Sequence, residues 1–472
     1  MKIKKFEIDG FRSLKNVKIN DFQDINIFHG ENNTGKSNIL RSLELFFSEK
    51  YFFKLNPIKM GEAEIQKESK EINFEGKVAI EESDFYIFEK NSIKFFIELE
   101  LENKDLNEIK KRLTKEDSLK LLSKKTVTLN ISAEIPRELE EHYGILYGNF
   151  KIISFKIDKK DILTKSTYAE LINIIETFLI GKFSNIGSER QIIQEISEGE
   201  KENRIGDKNI QKYLYNLSIS DNINDRLLLE KIITKFNEIN KEIGKITFSI
   251  KPFKSKEHIE QDEHGLKTIK ITDRNEIKLM IESTKDEFLL PIEKFGSGVQ
   301  QSLLIIANVI ADNKATLYGI EELEANLSPH NQEVIFNTIR QIIAAESFNI
   351  NQVFITSHSD VFSKDKVKDG NVYMVKLEEK KTSVGRSEDL EYVKFFRQYQ
   401  IDDPIYHKIK QLYGKHKIGT DNLIDGINAR DVIDEQIFNE IKKQKCMDDE
   451  KKIDKIIQEY EKKFGKEIII TK

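Results

Sequence analysis

Residues Gly30–Asn38 read GENNTGKSN and directly follow the run DINIFH. They fit the pattern G-x-x-x-x-G-K-[ST], in which a glycine-rich turn and a lysine hold nucleotide phosphates. The preceding run predicts a strand, and Ser37–Phe47 has the apolar spacing of a helix. A strand, a glycine loop and a helix in this order predict a phosphate-binding loop rather than a glycine-rich surface turn.

Each residue type in this loop suits nucleotide chemistry. Gly30 and Gly35 allow tight turns, and the following helix offers its positive N-terminal end to phosphates. We expect Lys36 to reach the β- and γ-phosphate oxygens and Ser37 to ligate Mg²⁺. The predicted nucleotide contacts in the loop are Gly30, Asn32, Asn33, Thr34, Gly35, Lys36, Ser37 and Asn38.

Length and composition bound the class of protein. The chain has 472 residues, too many for one compact core, with 76 basic and 81 acidic side chains and a formal net charge of -5. This balance excludes a uniformly cationic nucleic-acid coat but permits a local basic groove. A single cysteine, Cys446, excludes a disulfide framework, and no stretch approaches the roughly 18 uncharged apolar residues that span a bilayer. We therefore expect a cytoplasmic protein without a membrane partner.

The patterns along the chain predict an α/β fold with an antiparallel β subdomain, a helical insertion and a small C-terminal helical region. Within the β-rich part, residues 104–122 read as one charged helix. An apolar stripe ending at Ile239 and Ile243 fits either a packed helical hairpin or a short coiled-coil arm. The predicted divisions are an N-terminal lobe with the phosphate loop at 1–160, a helical insertion or arm at 161–244, a C-terminal lobe at 245–375, and a partner-binding or oligomerisation region at 376–472.

A second candidate element is the short apolar run Ala315–Ile320, which ends in Glu321 and Glu322. Ligands bind at the carboxyl ends of strands in open α/β sheets. One carboxylate there can hold the Mg²⁺ water shell, and the next can deprotonate the attacking water. We assign Glu321 to the metal and Glu322 to the base; the alternative is a solvated pair in a turn. Ser328 and Pro329 then predict the start of a helix.

Two further stretches carry candidate phosphate contacts. The run NQVFITSHSD predicts a strand followed by His358, within reach of a γ-phosphate; taken alone, a structural histidine is the alternative. Gly296, Ser297 and Gly298 precede a strongly apolar helix and place N–H groups and a hydroxyl at its N-terminus. A flexible turn capping a buried helix is the alternative there.

The order GENNTGKS, FGSGVQQ, IEELEANLSP and TSHSD resembles the ABC-type ATPase heads of the SMC, RecF and OLD (overcoming lysogenisation defect) group. FGSGVQQ resembles their signature motif, IEELEANLSP their Walker B motif and D-loop, and TSHSD their switch-histidine loop. KFEIDGFRSLKNVKI resembles the first strands of the OLD-like branch, with Phe11, Arg12 and Ser13 as its FRS. The resemblance covers residues 1–160 and 245–375.

This resemblance implies a P-loop head that binds ATP with Mg²⁺ and forms a homo-oligomer through ATP-bridged, head-to-tail heads. Ser297 and Gly298 of one copy would meet the γ-phosphate held by Lys36 of another. Arg12 and Gln300 join the implied nucleotide contacts. The implied catalytic residues are Lys36, Glu322 and His358. Glu321 in place of aspartate and Leu323 in place of proline depart from many such ATPases, so we expect slow hydrolysis, and we assign no residue to the magnesium-sensing glutamine.

The partner is the least determined feature. OLD nucleases carry a Toprim domain, which needs a strand-end glutamate and a later Asp-x-Asp. Residues 423–426 and 431–435 lack that order, so we predict no nuclease activity in this chain. Such a head resembles the ATPase subunits of two-gene antiphage systems such as Septu and PARIS, which implies a separate effector, a nuclease or toxin. The alternatives are a RecF-like ATPase that clamps DNA and a self-contained nuclease.

Overall fold

The structure is a computed structural model. It describes residues 1–48, 75–86, 91–142, 144–163, 166–188, 210–240, 243–261, 267–283, 289–311, 314–345, 348–359, 362, 370–378, 380–386, 440–441, 443–444, 452–453 and 455–459. The chain forms two compact units. Met1–Ile180 and Phe354–Lys472 make the first unit, and Gly181–Val353 makes the second.

The elements follow in chain order. Up to residue 180 they are β1 (Lys2–Asp9), β2 (Val17–Asn20), β3 (Ile25–His29), α1 (Lys36–Phe47), β4 (Glu75–Ala79), β5 (Ser92–Leu101), α2 (Asn103–Lys110), α3 (Glu116–Leu121), β6 (Val127–Pro136), β7 (Leu139–His142), β8 (Ile145–Ile157), β9 (Lys160–Asp161) and α4 (Ala169–Leu179). The second unit contains β10 (Phe183–Ile186), α5 (Ile210–Ile219), α6 (Ile223–Ile239), β11 (Ile243–Gln261), β12 (Lys267–Ser283), β13 (Leu289–Pro291), α7 (Ser297–Ala311), β14 (Leu317–Ile320) and α8 (Pro329–Ala344). The chain continues with β15 (Gln352–Ser357), β16 (Gly370–Glu378) and β17 (Lys381–Arg386).

An antiparallel sheet forms much of the first unit. Its strands run in the order β2-β1-β5-β6-β8-β4, with β7 and β9 also paired to β8. Alternation of apolar and polar residues places every second side chain of β6 in the core, from Val127 to Ile135. Phe46 of α1 packs against Phe95 and Phe150 of this sheet, with both pairs of ring centroids 5.9 Å apart. Each such buried ring contributes roughly 2–3 kcal/mol, so the sheet holds the end of α1 in place.

The strand before the phosphate loop is buried along its whole length. All five residues of β3 are buried, including the polar Asn26 and His29. The strand pairs in parallel with β16, and β17 pairs antiparallel with β16. The rings of Phe22, Phe28, Phe354 and Tyr373 form a cluster at this strand, in which Phe22 meets the other three edge-to-face. The loop therefore begins at the end of a rigid, fully packed strand.

The second unit combines strands with packed helices. β10 and β14 pair in parallel, and β11, β12 and β13 form an antiparallel sheet. α7 is buried from Gln300 to Ala311, in agreement with its apolar sequence. Ser328 caps α8 by accepting the N–H of Asn331, and Pro329 occupies the first turn, as predicted. The predicted α/β fold with an antiparallel β subdomain is confirmed.

Several local predictions differ from the structure. The single helix predicted at 104–122 is wrong, because Thr114 gives its N–H and hydroxyl to Glu170 Oε1 (3.2 and 2.8 Å) between α2 and α3. The apolar stripe does not continue to Ile243, which begins β11. α6 packs against α5, α7 and α8, which fits a packed hairpin rather than an arm.

The chain regions predicted from sequence also contain unpredicted strands. The interval 161–244, predicted as a helical insertion, includes β10, a four-residue strand too short to recognise by periodicity. Of residues 376–472, the described part contains β17 and helical residues between 440 and 459. Residues 423–435, where the nuclease carboxylates were sought, lie outside the described residues.

Candidate functional site: a phosphate loop and a strand-end carboxylate pair

The phosphate loop leaves β3 at Gly30 and enters α1 at Lys36. Gly35 has a φ of +99°, a left-handed conformation that favours glycine. A Cβ atom at Gly30 would lie 2.2 Å from the carbonyl oxygen of Val375, and one at Gly35 would lie 2.1 Å from Thr382 Oγ1. Only glycine fits at either position, and a tight turn before a helix N-terminus fits a phosphate group.

The side chains of the loop divide into an exposed tip and a buried base. Asn32 and Asn33 are exposed, and Asn33 adopts a positive φ of 62°. Thr34 is buried and donates its hydroxyl to the carbonyl oxygen of Glu31 (2.9 Å). The tip can therefore contact a bound molecule while its base is held by the fold.

Lys36 folds back over the loop. Its Nζ donates to the carbonyl oxygens of Gly30 (2.8 Å) and Glu31 (2.6 Å), and the residue is only 6% exposed. Hydrogen bonds from an ammonium to charged oxygens are roughly twice as strong as those between neutral groups. The ammonium is thus poised at the loop to exchange carbonyl acceptors for phosphate oxygens.

Arg12, a predicted nucleotide contact, lies beside the start of α1. Arg12 Nε donates to Asp84 Oδ1 (2.7 Å), and Arg12 Nη2 forms an ion pair with the same oxygen (2.7 Å). Arg12 Nη1 donates to Asn38 Oδ1 at 3.5 Å, and Asn38 Nδ2 donates to Ser13 Oγ (2.9 Å). Two predicted nucleotide contacts, Arg12 and Asn38, are therefore brought together with Asp84, which the sequence did not suggest.

His358 follows β15 in the same unit as the loop. The N–H of Gly30 donates to the carbonyl oxygen of Ser357 (3.3 Å), the residue immediately before the histidine. The N–H of Ser359 donates to Ser357 Oγ (2.9 Å) and shapes the turn. The structure therefore places the predicted switch histidine next to the first glycine of the loop.

The carboxylate pair lies at the end of β14 in the second unit. Glu321 is 5% exposed, its N–H donates to the carbonyl oxygen of Ile186 (2.9 Å), and its Oε1 accepts from Asn185 Nδ2 (2.8 Å). Glu322 is half-buried and has a φ of +46°, a conformation that costs a non-glycine residue roughly 1–2 kcal/mol. The two carboxylates therefore lie in different environments, as two separate roles require.

The signature-like residues lie at the start of α7 in this second unit. Gly298 is close to the turn after β14: a Cβ there would lie 2.9 Å from the carbonyl oxygen of Asn326. Gln300 is buried, and its Nε2 donates to the carbonyl oxygen of Phe295 (3.0 Å). Ser297, half-buried, is the first residue of the helix. The start of α7 thus lies against the turn that follows β14 in this unit.

The predicted magnesium ligands lie in different units, Ser37 in the first and Glu321 in the second. Among the described residues, no group of three or more His, Cys, Asp or Glu side chains could hold a metal ion. Mg²⁺ usually keeps several waters and binds one or two protein oxygens plus substrate phosphates. The Ser37 hydroxyl and the Glu321 carboxylate each offer an oxygen of the type that this ion binds.

Two residues that position the site have no local signature in the sequence. Asn185 lies in β10 and Thr382 in β17, 136 residues from Glu321 and 348 residues from Thr34 respectively. Neither residue belongs to a glycine loop or a carboxylate run. The pairing of distant strands brings Asn185 to the carboxylate pair and Thr382 to the phosphate loop.

The chain matches one family model and two relatives among known proteins. The family described as AAA ATPase domain matches residues 1–362. The chain is 23% identical over 365 residues to an ATP/GTP phosphatase of Helicobacter pylori, covering 76% of this chain and 86% of that one. It is 27% identical over 254 residues to the uncharacterized protein MJECL44 of Methanocaldococcus jannaschii, a match that covers 52% of this chain and 70% of that one.

Two SMC heads are among the solved structures that match this chain. One is bound to the C-winged helix domain of ScpA (14% identity, 82% of this chain, 98% of that chain, TM-score 0.42). The other is the SMC head domain of Thermotoga maritima (12% identity, 82% of this chain, 100% of that chain, TM-score 0.38). Within the described residues, no helix is long and apolar enough to cross a membrane.

Proposed function

This chain belongs to the AAA ATPase domain family, and from that membership we propose that it binds ATP with Mg²⁺ at Gly30–Asn38 and hydrolyses it slowly. The observation that carries the proposal is the loop itself. Left-handed Gly35 leads directly into α1, and the Lys36 ammonium lies folded on the carbonyls of the loop. This arrangement supplies both N–H donors and a positive charge to a polyphosphate.

Each of these residues has its own role in phosphoryl transfer. Lys36 neutralises charge on the β- and γ-phosphates, and Ser37 and Glu321 would hold Mg²⁺, which would supply further charge neutralisation. The Asn185 amide fixes the orientation of the Glu321 carboxylate. Glu322 accepts the proton of the attacking water, and His358 contacts the γ-phosphate.

The hydrolysis proposal is tested by Glu322→Gln. The variant keeps the shape of the side chain but cannot accept a proton, so we expect ATP to bind normally and hydrolysis to fall by roughly 100-fold or more. The matched control is Glu333→Gln, which makes the same change at an exposed residue of α8. If Glu322→Gln hydrolyses ATP like the wild type, Glu322 is not the base.

We propose that the site is completed by a second copy, with Ser297 and Gly298 of one protomer contacting the γ-phosphate held by the other. The close approach of Gly298 to Asn326 supports this, because it places the signature-like loop beside the turn that follows the carboxylate pair. Glu322→Gln with ATP and Mg²⁺ is expected to accumulate as a dimer in light scattering. A monomer under saturating ATP would count against the shared site.

We propose further that the ATPase controls a separate effector, a nuclease or toxin, in bacterial antiphage defence. The support is the order of the four motifs, which resembles the OLD-like branch. Co-purification of the chain with the product of a neighbouring gene, changed by ATP, is the expected result. Full phage protection by Lys36→Met together with that partner would contradict control by ATP.

A second candidate function, a clamp on DNA, is favoured by one surface feature. Lys15, Lys18 and Lys381 line a depression of about 640 Å³, although Lys18 also approaches Glu7 Oε2 at 3.5 Å. Lysines that contact phosphates produce binding that weakens steeply with salt. Duplex DNA that fails to bind at low salt with ATP present would exclude this function.

A further inference from the structure

Thr382 joins β17 to the phosphate loop through its side chain. The residue is 3% exposed, and its Oγ1 donates to the carbonyl oxygen of Thr34 (2.8 Å). Thr382 Oγ1 also lies 2.7 Å from Ser13 Oγ, and the Thr382 N–H donates to the carbonyl oxygen of Ser13 (2.9 Å). β17 therefore contacts the loop at Thr34, just before the chain enters α1.

Counting protons gives these contacts a direction. A threonine hydroxyl carries one hydrogen, and that of Thr382 is donated to Thr34. Ser13 must therefore be the donor in its contact with Thr382. Ser13 in turn accepts from Asn38 Nδ2 (2.9 Å). The result is a one-way chain of hydrogen bonds from Asn38 through Ser13 and Thr382 to the carbonyl of Thr34.

The acceptor at the end of this chain determines where an N–H group of the loop points. The Thr34–Gly35 peptide is trans, since no peptide bond among the described residues is cis. In a planar trans peptide the C=O and N–H bonds point in opposite directions. Because Thr382 holds the C=O of Thr34, the N–H of Gly35 points away from β17, as a phosphate-binding donor at this position must.

We propose that Thr382 is a positioning residue for the nucleotide: its hydroxyl orients the Thr34–Gly35 peptide so that the loop is preorganised for phosphate. The inference rests on the proposed binding of ATP at this loop. The requirement for glycine at position 35 agrees with it, because the Thr382 hydroxyl occupies the space that a Cβ would need, at 2.1 Å.

The test compares Thr382→Val with Thr382→Ser. Valine keeps the branched shape and suits a strand, but it removes the hydroxyl, whereas serine keeps the hydroxyl. ADP binding is measured by isothermal titration calorimetry, and stability without nucleotide by urea unfolding. We expect roughly three- to tenfold weaker ADP binding for Thr382→Val, the worth of one net hydrogen bond, and near-normal binding for Thr382→Ser.

Controls separate this inference from the proposed function. Thr177→Val removes an equivalent hydroxyl, which donates to the carbonyl oxygen of Asn173 (2.8 Å) on an exposed face of α4, and should leave ADP binding unchanged. A wild-type chain that binds no ADP overturns the proposed function. Normal wild-type binding with equal binding by Thr382→Val overturns only the role of Thr382, as does a loss of stability without a loss of affinity.

A second variant decides the matter if Thr382→Val does not fold. Ser13→Ala removes the donor to Thr382 from a different element, and we expect it to weaken ADP binding in the same direction. Where Thr382→Val does fold, its effect and that of Ser13→Ala should be non-additive in a double-mutant cycle, because both interrupt one chain of hydrogen bonds. Unchanged ADP affinity in Ser13→Ala, or strictly additive losses, contradicts the inference.

Discussion

The Glu321 carboxylate gives the most quantitative prediction, through its contact with Asn185. The carboxylate is 5% exposed and accepts from Asn185 Nδ2 at 2.8 Å. Asn185→Leu keeps the approximate volume and removes the donor. Hydrogen bonds to charged groups contribute about 1.5–3 kcal/mol, which corresponds to roughly 10- to 150-fold in an equilibrium that needs the charged, oriented carboxylate.

The assay is steady-state ATP hydrolysis as a function of Mg²⁺ concentration. We expect the half-saturating Mg²⁺ concentration of Asn185→Leu to rise at least about tenfold, because Glu321 then binds the ion with an unoriented carboxylate. Asn224→Leu is the control, since it makes the same change at an exposed residue of α6 in the same unit. A half-saturating concentration within about twofold of the wild type would refute the reasoning.

The other predictions concern the glycines and the lysine. Gly30→Ala places a Cβ 2.2 Å from the carbonyl oxygen of Val375, so the free energy of unfolding should fall by about 1–3 kcal/mol in urea denaturation. Gly298→Ala places a Cβ 2.9 Å from a backbone oxygen and should also destabilise the chain, whereas Gly296→Ala, with no heavy atom within 4 Å, should leave the unfolding midpoint unchanged. Lys36→Met should weaken ATP binding by roughly tenfold or more, measured by calorimetry. Equal midpoints for both signature-loop variants, or normal ATP affinity for Lys36→Met, would contradict these expectations.

The features predicted correctly from the sequence are those with local physical causes. The phosphate loop is recognisable because a glycine turn, a lysine and a helix start must be adjacent in the chain. The cap at Ser328 follows from side-chain chemistry within one helical turn. The strand β3 follows from Ile25, Ile27 and Phe28, which stand directly before the glycine loop.

The features that were missed depend on contacts between distant parts of the chain. Strands or turns far apart in sequence must come together before these contacts form. They are the contacts of Thr382 with Thr34, of Asn185 with Glu321 and of Asp84 with Arg12. β10 has only four residues, too few to distinguish the periodicity of a strand from that of a helix. The break between α2 and α3 depends on a tertiary contact with Glu170, which no property of the local sequence indicates.

A mixing experiment tests most directly the proposal that ATP is bound between two copies. Lys36→Met removes the phosphate contact from one partner of each site, and Ser297→Arg blocks the signature-like contact of the other. Each variant alone should be inactive. A mixture should regain hydrolysis, because one of the two sites in a mixed dimer then combines an intact loop with an intact signature contact. Full activity of Ser297→Arg alone, or no recovery in a mixture whose subunits exchange, would contradict the shared site.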